Sequence, residues 1–494
     1  MNTSVKKVVI VGGGTAGWIA AIALSKKLGA LINISLIESD EIGTVGVGEA
    51  TIPPMRTFHK LLNIDEQEFM RETEATFKLG ISFENWGRNG DHYIHSFGKT
   101  GKETWLCDFH HFWLRAKKLG IAEDYGTYCC ELQAAKQDRF ATSPTLDINF
   151  AYHLDATRYA KYLRRMSEAN GVKRIEGKII QVNQHQDTGF ITSVQLESGQ
   201  IVEGDLFIDC SGFRGLLIEQ TLQTGYEDWS HWLPCDSAIA VQTETTSPAV
   251  PYTRSIAHAS GWQWKIPLQH RVGNGLVFCS RFISDDDART LLLNNIEGKT
   301  LIQPRVIKFT TGRRLKTWNK NCIALGLASG FIEPLESTSI HLIMMGVTRL
   351  MHLFPFNGVT DALIEEFNRT SKIEMEQLRD FIVLHYKATE RDDSDFWNYC
   401  RTMDVPDTLK LRLDLFKQNA HAYQADGELF RIDSWTQVMF GQRLQPEHYH
   451  NLVDTMKEKD LAQFLKNLKM DIEKTVSQLP LHNDFVKHYC GSKI

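Results

Sequence analysis

The chain has little of what marks a secreted, membrane-spanning or nucleic-acid-binding protein. No window of its 494 residues reaches the ~18 uncharged apolar residues that a membrane helix needs. The N-terminal MNTSVKKVVIVGGG runs through only four apolar residues before its glycines, against the ~7–15 of a secretory leader. Nine cysteines are scattered without a CxxC or a Cys/His cluster of zinc spacing, so neither a disulfide framework nor a metal site is expected. Basic excess is missing too: the net charge is −5, whereas phosphate-binding surfaces leave a positive footprint. These absences set the expectation of a cytoplasmic protein with no membrane and no nucleic-acid partner. Internal repeats, low-complexity tracts and Gly/Ser linkers are also absent. The domains of so long a chain are therefore expected to be interleaved rather than strung in line.

What is present begins at the N-terminus. Val8-Val9-Ile10-Val11 is a continuous apolar run of the kind that forms a buried parallel strand. Gly12-Gly13-Gly14-Thr15-Ala16-Gly17 follows, then an Ala-rich helix from Ile19 to Leu28 and a second strand, Asn33–Ile37, that ends at Glu38. Gly12, Gly14 and Gly17 have the spacing of a dinucleotide-binding turn. Its glycines let the backbone approach a pyrophosphate, the helix N-terminus supplies donors, and Glu38 stands where an acidic residue binds the adenosine ribose. The turn alone serves FAD or NAD. Two later apolar strands ending in small residues, in GDLFIDCSGFRG (204–215) and IALGLASGF (323–331), favour a flavin, although each also reads as a plain buried strand with a turn. No second GxGxxG offers a nicotinamide site. The 11 Trp and 26 Phe suit a protein that buries flat ligands, and suit a large core equally. A helix is expected near 155–170, strands dominate from about 220 to 320, and helical periodicity takes over beyond 340.

Four further segments carry a specific likeness. GGGTAGW (12–18), VGEATIP (47–53), GWQWKIP (261–267) and GFIEPLESTS (330–339), supported by FKLGISFENWG (77–87), resemble the flavin-dependent tryptophan halogenases and their relatives. The Trp-x-Trp-x-Ile-Pro pattern is the most discriminating, because related flavin hydroxylases lack it. The resemblance implies an α/β fold: an FAD-binding Rossmann-like domain of the flavin monooxygenase type. An interleaved β-rich substrate region and a helical C-terminal part complete it. The expected boundaries are an FAD module at 1–345, with substrate-binding insertions at about 60–150 and 220–320, and a helical region at 346–494 covering the substrate pocket. It also implies a two-component enzyme. A separate NAD(P)H flavin reductase supplies reduced FAD, dioxygen and halide then give hypohalous acid, and an electron-rich arene is substituted. A homodimer is the expected assembly.

By position, the resemblance assigns Lys78 and Glu336 as catalytic residues and Thr338 and Ser339 as the halide site. Gly12, Gly13, Gly14, Ala16, Gly17, Glu38, Ser39, Gly48, Ala50, Leu327 and Ile340 are assigned to FAD. Trp262 and Trp264 would shield the flavin, and His95 and Phe97, in YIHSFG, would sandwich the substrate. The residue types suit these tasks. An amine between Phe77 and Leu79 can be desolvated, which makes it a nucleophile or a directed donor. A carboxylate at Glu336 can meet the positive charge that develops on an arene. A helix opening at Thr338 offers unpaired N–H groups to an anion. Each also has a plainer reading: a surface lysine, a helix-entry glutamate, an ordinary N-cap, core tryptophans, a packing His-x-Phe pair. Ser339 stands where the family often has glycine, which is expected to favour bromide over chloride. In HAYQADGELFRIDSWTQVMFGQR no Tyr-Tyr…Glu set matches the segment that grips free tryptophan, so indole or a larger indolic or phenolic molecule is expected instead. The competing readings are a flavin aromatic hydroxylase and a flavoprotein without turnover.

Overall fold

The Val8–Val11 run is apolar on both faces because it lies inside a sheet. In the computed structural model, which describes residues 4–42, 48–104, 107–143 and 146–491, the strand Lys7–Val11 pairs in parallel with Asn33–Glu38 on one side and Leu206–Asp209 on the other. Val47, the first residue of VGEATIP, lies outside the described residues. The chain divides into two units. One comprises residues 1–75, 154–230 and 308–376, the other 76–153, 231–307 and 377–494.

In the first unit the sheet order is Trp318–Asn319, Cys322–Ala324, Leu206–Asp209, Lys7–Val11, Asn33–Glu38, Lys173–Glu176. Only the Trp318–Asn319 pairing is antiparallel. The first helix, Thr15–Leu28, is buried without interruption from Gly17 to Ser25 and packs against the helices Ala156–Ala169 and Ser339–His352. Covering on more than one side explains its run of small apolar residues. It starts at Thr15 rather than the expected Ile19, since Gly17 and Trp18 are already in the packed turn. The helix Ala156–Ala169 is capped by Asp155, which accepts the Arg158 N–H at 3.0 Å. Asp209, at the end of its strand, is wholly buried and accepts N–H groups from Ser211, Leu217 and Ile218 at 2.8–2.9 Å, which fastens the turn of GDLFIDCSGFRG.

The second unit is built on a seven-stranded sheet ordered Arg305–Lys308, Ser237–Thr243, Val272–Phe278, Gly261–Pro267, Tyr252–His258, Gly80–Glu84, His92–Ser96. Tyr252–His258 and Gly80–Glu84 run parallel. The Gly80–Glu84 strand and its neighbour His92–Ser96 lie outside the 220–320 stretch in which strands were expected to dominate. Helices Asp395–Thr402, Asp407–Asn419, Ile432–Gly441, Glu458–Ser477 and His482–Cys490 complete the unit. Among the described residues, no helix is long and apolar enough to cross a membrane. All nine cysteines are free thiols.

Buried imidazoles give the fold a pH signature. Burial pushes His59 down to about 3 and His482 down to about 4, from an ordinary 6.5. Their stabilising contribution is complete above the unfolded-chain value and is lost as pH falls from about 6.5 toward 4 and below. Glu49, pushed by burial up to about 7, runs the other way, losing stability as pH rises from 4.5 to 7. His110, His111 and His341 are pushed down in the same sense, to about 4, 3 and 4, whereas Asp108, Glu131, Asp138, Glu374 and Asp433 are raised with Glu49. The imidazoles are displaced further, so the melting temperature should fall as pH is lowered from 7 to 4. The His59→Leu variant should show a shallower fall. A melting temperature independent of pH over that range contradicts this assignment.

Candidate active site

The glycine turn is a cradle that side chains would fill. Gly12 has φ +110, and a Cβ there would meet the Cys210 carbonyl carbon at 2.7 Å. A Cβ on Gly13 would press on Glu38, with the Glu38 Cβ at 2.6 Å. Gly14, the N-cap of the first helix, faces open space, makes no side-chain cap, and is followed by a first turn without acidic residues. Uncapped N–H groups, a positive dipole end and room for a close approach are what a pyrophosphate needs, so the residues present fit a dinucleotide. Glu38 Oε1 is held by Arg174 at 2.6 Å and Arg164 at 3.4 Å, while Oε2 lies over Gly13. The carboxylate is therefore fixed beside the turn.

The same unit gathers the later segments predicted to touch a flavin. Gly326, with φ +63, lets its turn approach the first helix closely. A Cβ there would stand 2.9 Å from the Ala16 Cβ and 3.6 Å from Ile343. Leu327 follows in that turn, which Arg314 clamps through Nε to the Ala328 carbonyl at 3.1 Å and through its own N–H to the Ser329 carbonyl at 2.9 Å. Ser39, Gly48 and Ala50 belong to the same unit, with Gly48 and Ala50 buried and Ser39 half-buried.

GFIEPLESTS resolves into two short steps. Pro334–Glu336 forms one turn, Ser337 is left-handed at φ 60, and a 14-residue helix then runs Ser339–His352. Glu336 is fully buried. Thr338, almost fully buried, is the N-cap residue yet makes no side-chain cap bond, and the first turn carries no acid. The plainer capping reading therefore fails. The first N–H groups of this helix lack side-chain caps, in the half-buried surroundings of Ser339. Ile340, 2% exposed, enters the core directly afterwards.

In the second unit Lys78 ends the strand Thr76–Lys78 and is 0% exposed, which removes the surface-lysine reading. Its Nζ lies 5.2 Å from the centre of the Phe97 ring. Phe97 is tied to the same strand end, donating its N–H to the Leu79 carbonyl at 2.9 Å. His95 is placed differently, edge-on to Phe381 at 5.5 Å and near Phe430 at 6.1 Å. Trp262 and Trp264 share one face of Gly261–Pro267, their rings 6.2 Å apart. Trp262 leans on Trp86 at 6.4 Å, and the ring of Trp264 occupies the space that the Gly275 side chain would need.

Three groups were not foreseen from sequence. Tyr423, Glu428 and Trp435, in the segment where an amino-acid grip would lie, are taken up by Arg412. The guanidinium pairs with both Glu428 oxygens at 3.0–3.1 Å and stacks 4.1 Å from the Tyr423 ring and 3.9 Å from the Trp435 ring. Asp108, His110 and His111 offer donor atoms within 4.8 Å of one another, contrary to the expectation of no such cluster. One nitrogen of each ring is engaged: His110 Nε2 donates to the Ala420 carbonyl at 2.7 Å, and His111 Nδ1 accepts the His450 N–H at 3.2 Å, which puts the neutral His111 proton on Nε2. A cavity of about 320 Å³ is lined by Lys99, Lys102, Glu103, Asp108 and Asp433 among others. Phe109, Tyr125 and Ile432 line it as well, and none of the predicted residues does.

A dinucleotide-binding α/β sheet, a buried lysine beside an aromatic ring and an uncapped helix after a buried glutamate define an oxidoreductase of the flavin-dependent class. Residues 7–458 match the tryptophan halogenase family model. The tryptophan 7-halogenase RebH of Lentzea aerocolonigenes is 36% identical over 84% of this chain and 83% of its own. Xcc4156, a flavin-dependent halogenase from Xanthomonas campestris, is 52% identical with a TM-score of 0.98, covering 99% of each chain. BrvH, a flavin-dependent halogenase from Brevundimonas sp. BAL3, is 43% identical with a TM-score of 0.95, covering 98% of this chain and 99% of its own. The chain belongs to the tryptophan halogenase family. It is an FAD-dependent halogenase, one component of a two-component oxidoreductase, and membership implies a separate flavin reductase and a small-molecule substrate.

Proposed function

We propose that the chain halogenates indole or a substituted indole rather than free tryptophan, with bromide preferred to chloride. The observation that carries the substrate is the Arg412 cluster. An amino-acid grip needs a carboxylate for the α-ammonium, and the candidate Glu428 is buried and neutralised by Arg412, which Tyr423 and Trp435 sandwich. Prising that pair apart would leave an unpaired buried charge, at about 3–5 kcal/mol. Glu428 is then not free to serve as a counter-charge for the α-ammonium of tryptophan.

The residues divide the work as follows. Gly12, Gly13, Gly14, Ala16 and Gly17 receive the pyrophosphate of FAD, with Glu38 and Ser39 toward the ribose and Gly48, Ala50, Leu327 and Ile340 toward the ring. Bound in reduced form, FAD supplies with dioxygen the oxidising power that converts halide to hypohalous acid. Thr338, Ser339 and the N–H groups of the helix they open hold the halide. Trp262 and Trp264 keep the arene away from the flavin. Lys78 either hydrogen-bonds the hypohalous acid or, as the neutral amine, forms a haloamine with it and releases water, and presents the halogen to the ring held by His95 and Phe97. Glu336 meets the charge on the arenium and takes its proton. Ser339 in place of the commoner glycine is the departure at the anion site on which the bromide preference is proposed.

The reading extends to an NAD(P)H-dependent reductase, a homodimer and a cytoplasmic setting without membrane or nucleic-acid partners. Nine free thiols support the cytoplasmic setting and a net charge of −5 the lack of a nucleic-acid partner, and light scattering tests the dimer. The function is tested with reduced FAD from an external reductase, oxygen, and equimolar bromide and chloride, given indole and tryptophan in parallel. Mass spectrometry should show bromoindole in excess of chloroindole, and tryptophan converted at least about tenfold more slowly. Faster turnover of tryptophan sinks the substrate assignment, and equal halide incorporation sinks the bromide preference. Hydroxylated product would indicate the monooxygenase, and unchanged substrate a binding protein.

A further inference from the structure

His153 lies in the strand Ala151–Asp155, outside every segment that pointed to the chemistry, and is 0% exposed. That strand runs antiparallel to Thr76–Lys78, with Thr76 opposite His153 and Lys78 opposite Ala151. Thr76 and Lys78 therefore project from the same face, and His153 is the diagonal cross-strand neighbour of the lysine.

Its hydrogen bonds determine its tautomer. The Thr76 hydroxyl has one proton and donates it to the Pro267 carbonyl at 2.7 Å. Its 3.0 Å contact with His153 Nδ1 must then be donated by the imidazole, which places the proton on Nδ1. His153 Nε2 is left as an acceptor and receives the Thr253 hydroxyl at 3.0 Å. Pro267 is the last residue of the Trp-x-Trp-x-Ile-Pro strand, so the same network fastens that strand to the one bearing Lys78.

The charges around the ring are equally constrained. Burial, then Lys78, then His482 push His153 well below the ordinary imidazole range, so it is uncharged at neutral pH. His482, on the last helix, is held neutral by its own burial and donates Nδ1–H to the Ala249 carbonyl at 2.7 Å. On the nearby sheet Glu84 and Arg254 satisfy each other at 2.7–2.8 Å, and His92 reaches Ser82 at 2.8 Å. A carboxylate in place of His153 would fix Lys78 as a permanent ammonium. Hydrocarbon there would deepen its desolvation and strip Thr253 of an acceptor. A polar but uncharged ring does neither.

We propose that His153, clamped between Thr76 and Thr253, is a positioning residue that sets the proton affinity and placement of Lys78 for halogen transfer. This rests on the reading of Lys78 as the residue that presents the halogen. The test is a pH titration by NMR of the full-length protein without flavin, its lysines labelled with ¹³C at Cε and the Lys78 signal assigned by its loss in Lys78→Ala. In His153→Phe the Lys78 midpoint should fall by at least about one pH unit, a tenfold loss of proton affinity. His153→Gln, which can donate to Thr76 and accept from Thr253, should bring it back to within about half a unit of the wild type. The alkaline limb of the halogenation pH profile should move with these midpoints. Should His153→Phe fail to fold, Thr253→Val takes its place, with a shift in the same direction. An unchanged midpoint in whichever of these two variants folds overturns the proposal. Normal halogenation by Lys78→Ala would instead overturn the role of Lys78, and the two failures are separate.

Discussion

Replacing Lys78 by alanine should abolish halogenation, by about 10³-fold or more, while reduced flavin continues to be reoxidised by oxygen. The reason is positional. Lys78 is a wholly buried amine, held against the Phe97 ring at 5.2 Å and close enough to a neutral His153 to depress it. No other described lysine is fully buried in the core, so a surface amine cannot substitute for it. A loss of this size corresponds to about 4 kcal/mol of transition-state stabilisation, in keeping with removal of the group that carries the reacting atom. Lys78→Met separates chemistry from packing, since it keeps the length of the stem and loses the nitrogen. It should be as inactive as the alanine variant with a melting temperature nearer the wild type. Lys78→Arg should fail as well, because a planar guanidinium is bulkier and does not give up its proton. Halogenated product from Lys78→Met at more than a tenth of the wild-type rate would show that the amine is not required.

The βαβ entry was legible because it is a matter of local pattern: an apolar run, a glycine turn, a helix of small residues and a second apolar run. Each is confirmed to within a few residues by the strand Lys7–Val11, the helix Thr15–Leu28 and the strand Asn33–Glu38. Pattern could not reveal the burial of Lys78. Phe77-Lys78-Leu79 reads like any strand edge until segments 151–155 and 251–267, distant in sequence, close over it. His153 was invisible for the same reason, being one of 18 histidines and set apart only by two threonines that the fold brings to it. The C-terminal segment shows the opposite case. Tyr423, Glu428 and Trp435 have the residue types of an amino-acid grip, and only the position of Arg412 one helix earlier shows that they are already engaged. Asp108, His110 and His111 likewise have ligand types, and only the fold shows that they meet and that one nitrogen of each imidazole is already bonded.

The glycine turn allows a graded experiment in which the three residues give three different results. Gly12→Ala should cost the most. Its φ of +110 is a conformation that a side chain rarely adopts, and its Cβ would meet the backbone of Cys210, with the carbonyl carbon at 2.7 Å. That backbone cannot move aside cheaply, because the Cys210 N–H is bonded to the Val11 carbonyl at 2.8 Å between two central parallel strands. Strain of this kind costs about 1–3 kcal/mol, and the clash adds to it, so the melting temperature should fall by about 10 °C with loss of bound FAD. At Gly13 the obstacle is the Glu38 side chain, which can turn aside only by breaking its pairs with Arg174 and Arg164. Gly13→Ala should fold, with a smaller thermal loss and markedly weaker FAD binding. At Gly14 a Cβ meets nothing within 4 Å, so Gly14→Ala should change stability by about 1 kcal/mol or less. Any effect on FAD affinity there reports directly on how closely the pyrophosphate approaches the helix end. Thermal melts and flavin fluorescence on the three variants check the order. If Gly14→Ala destabilised the protein as much as Gly12→Ala, the turn would not be held as described.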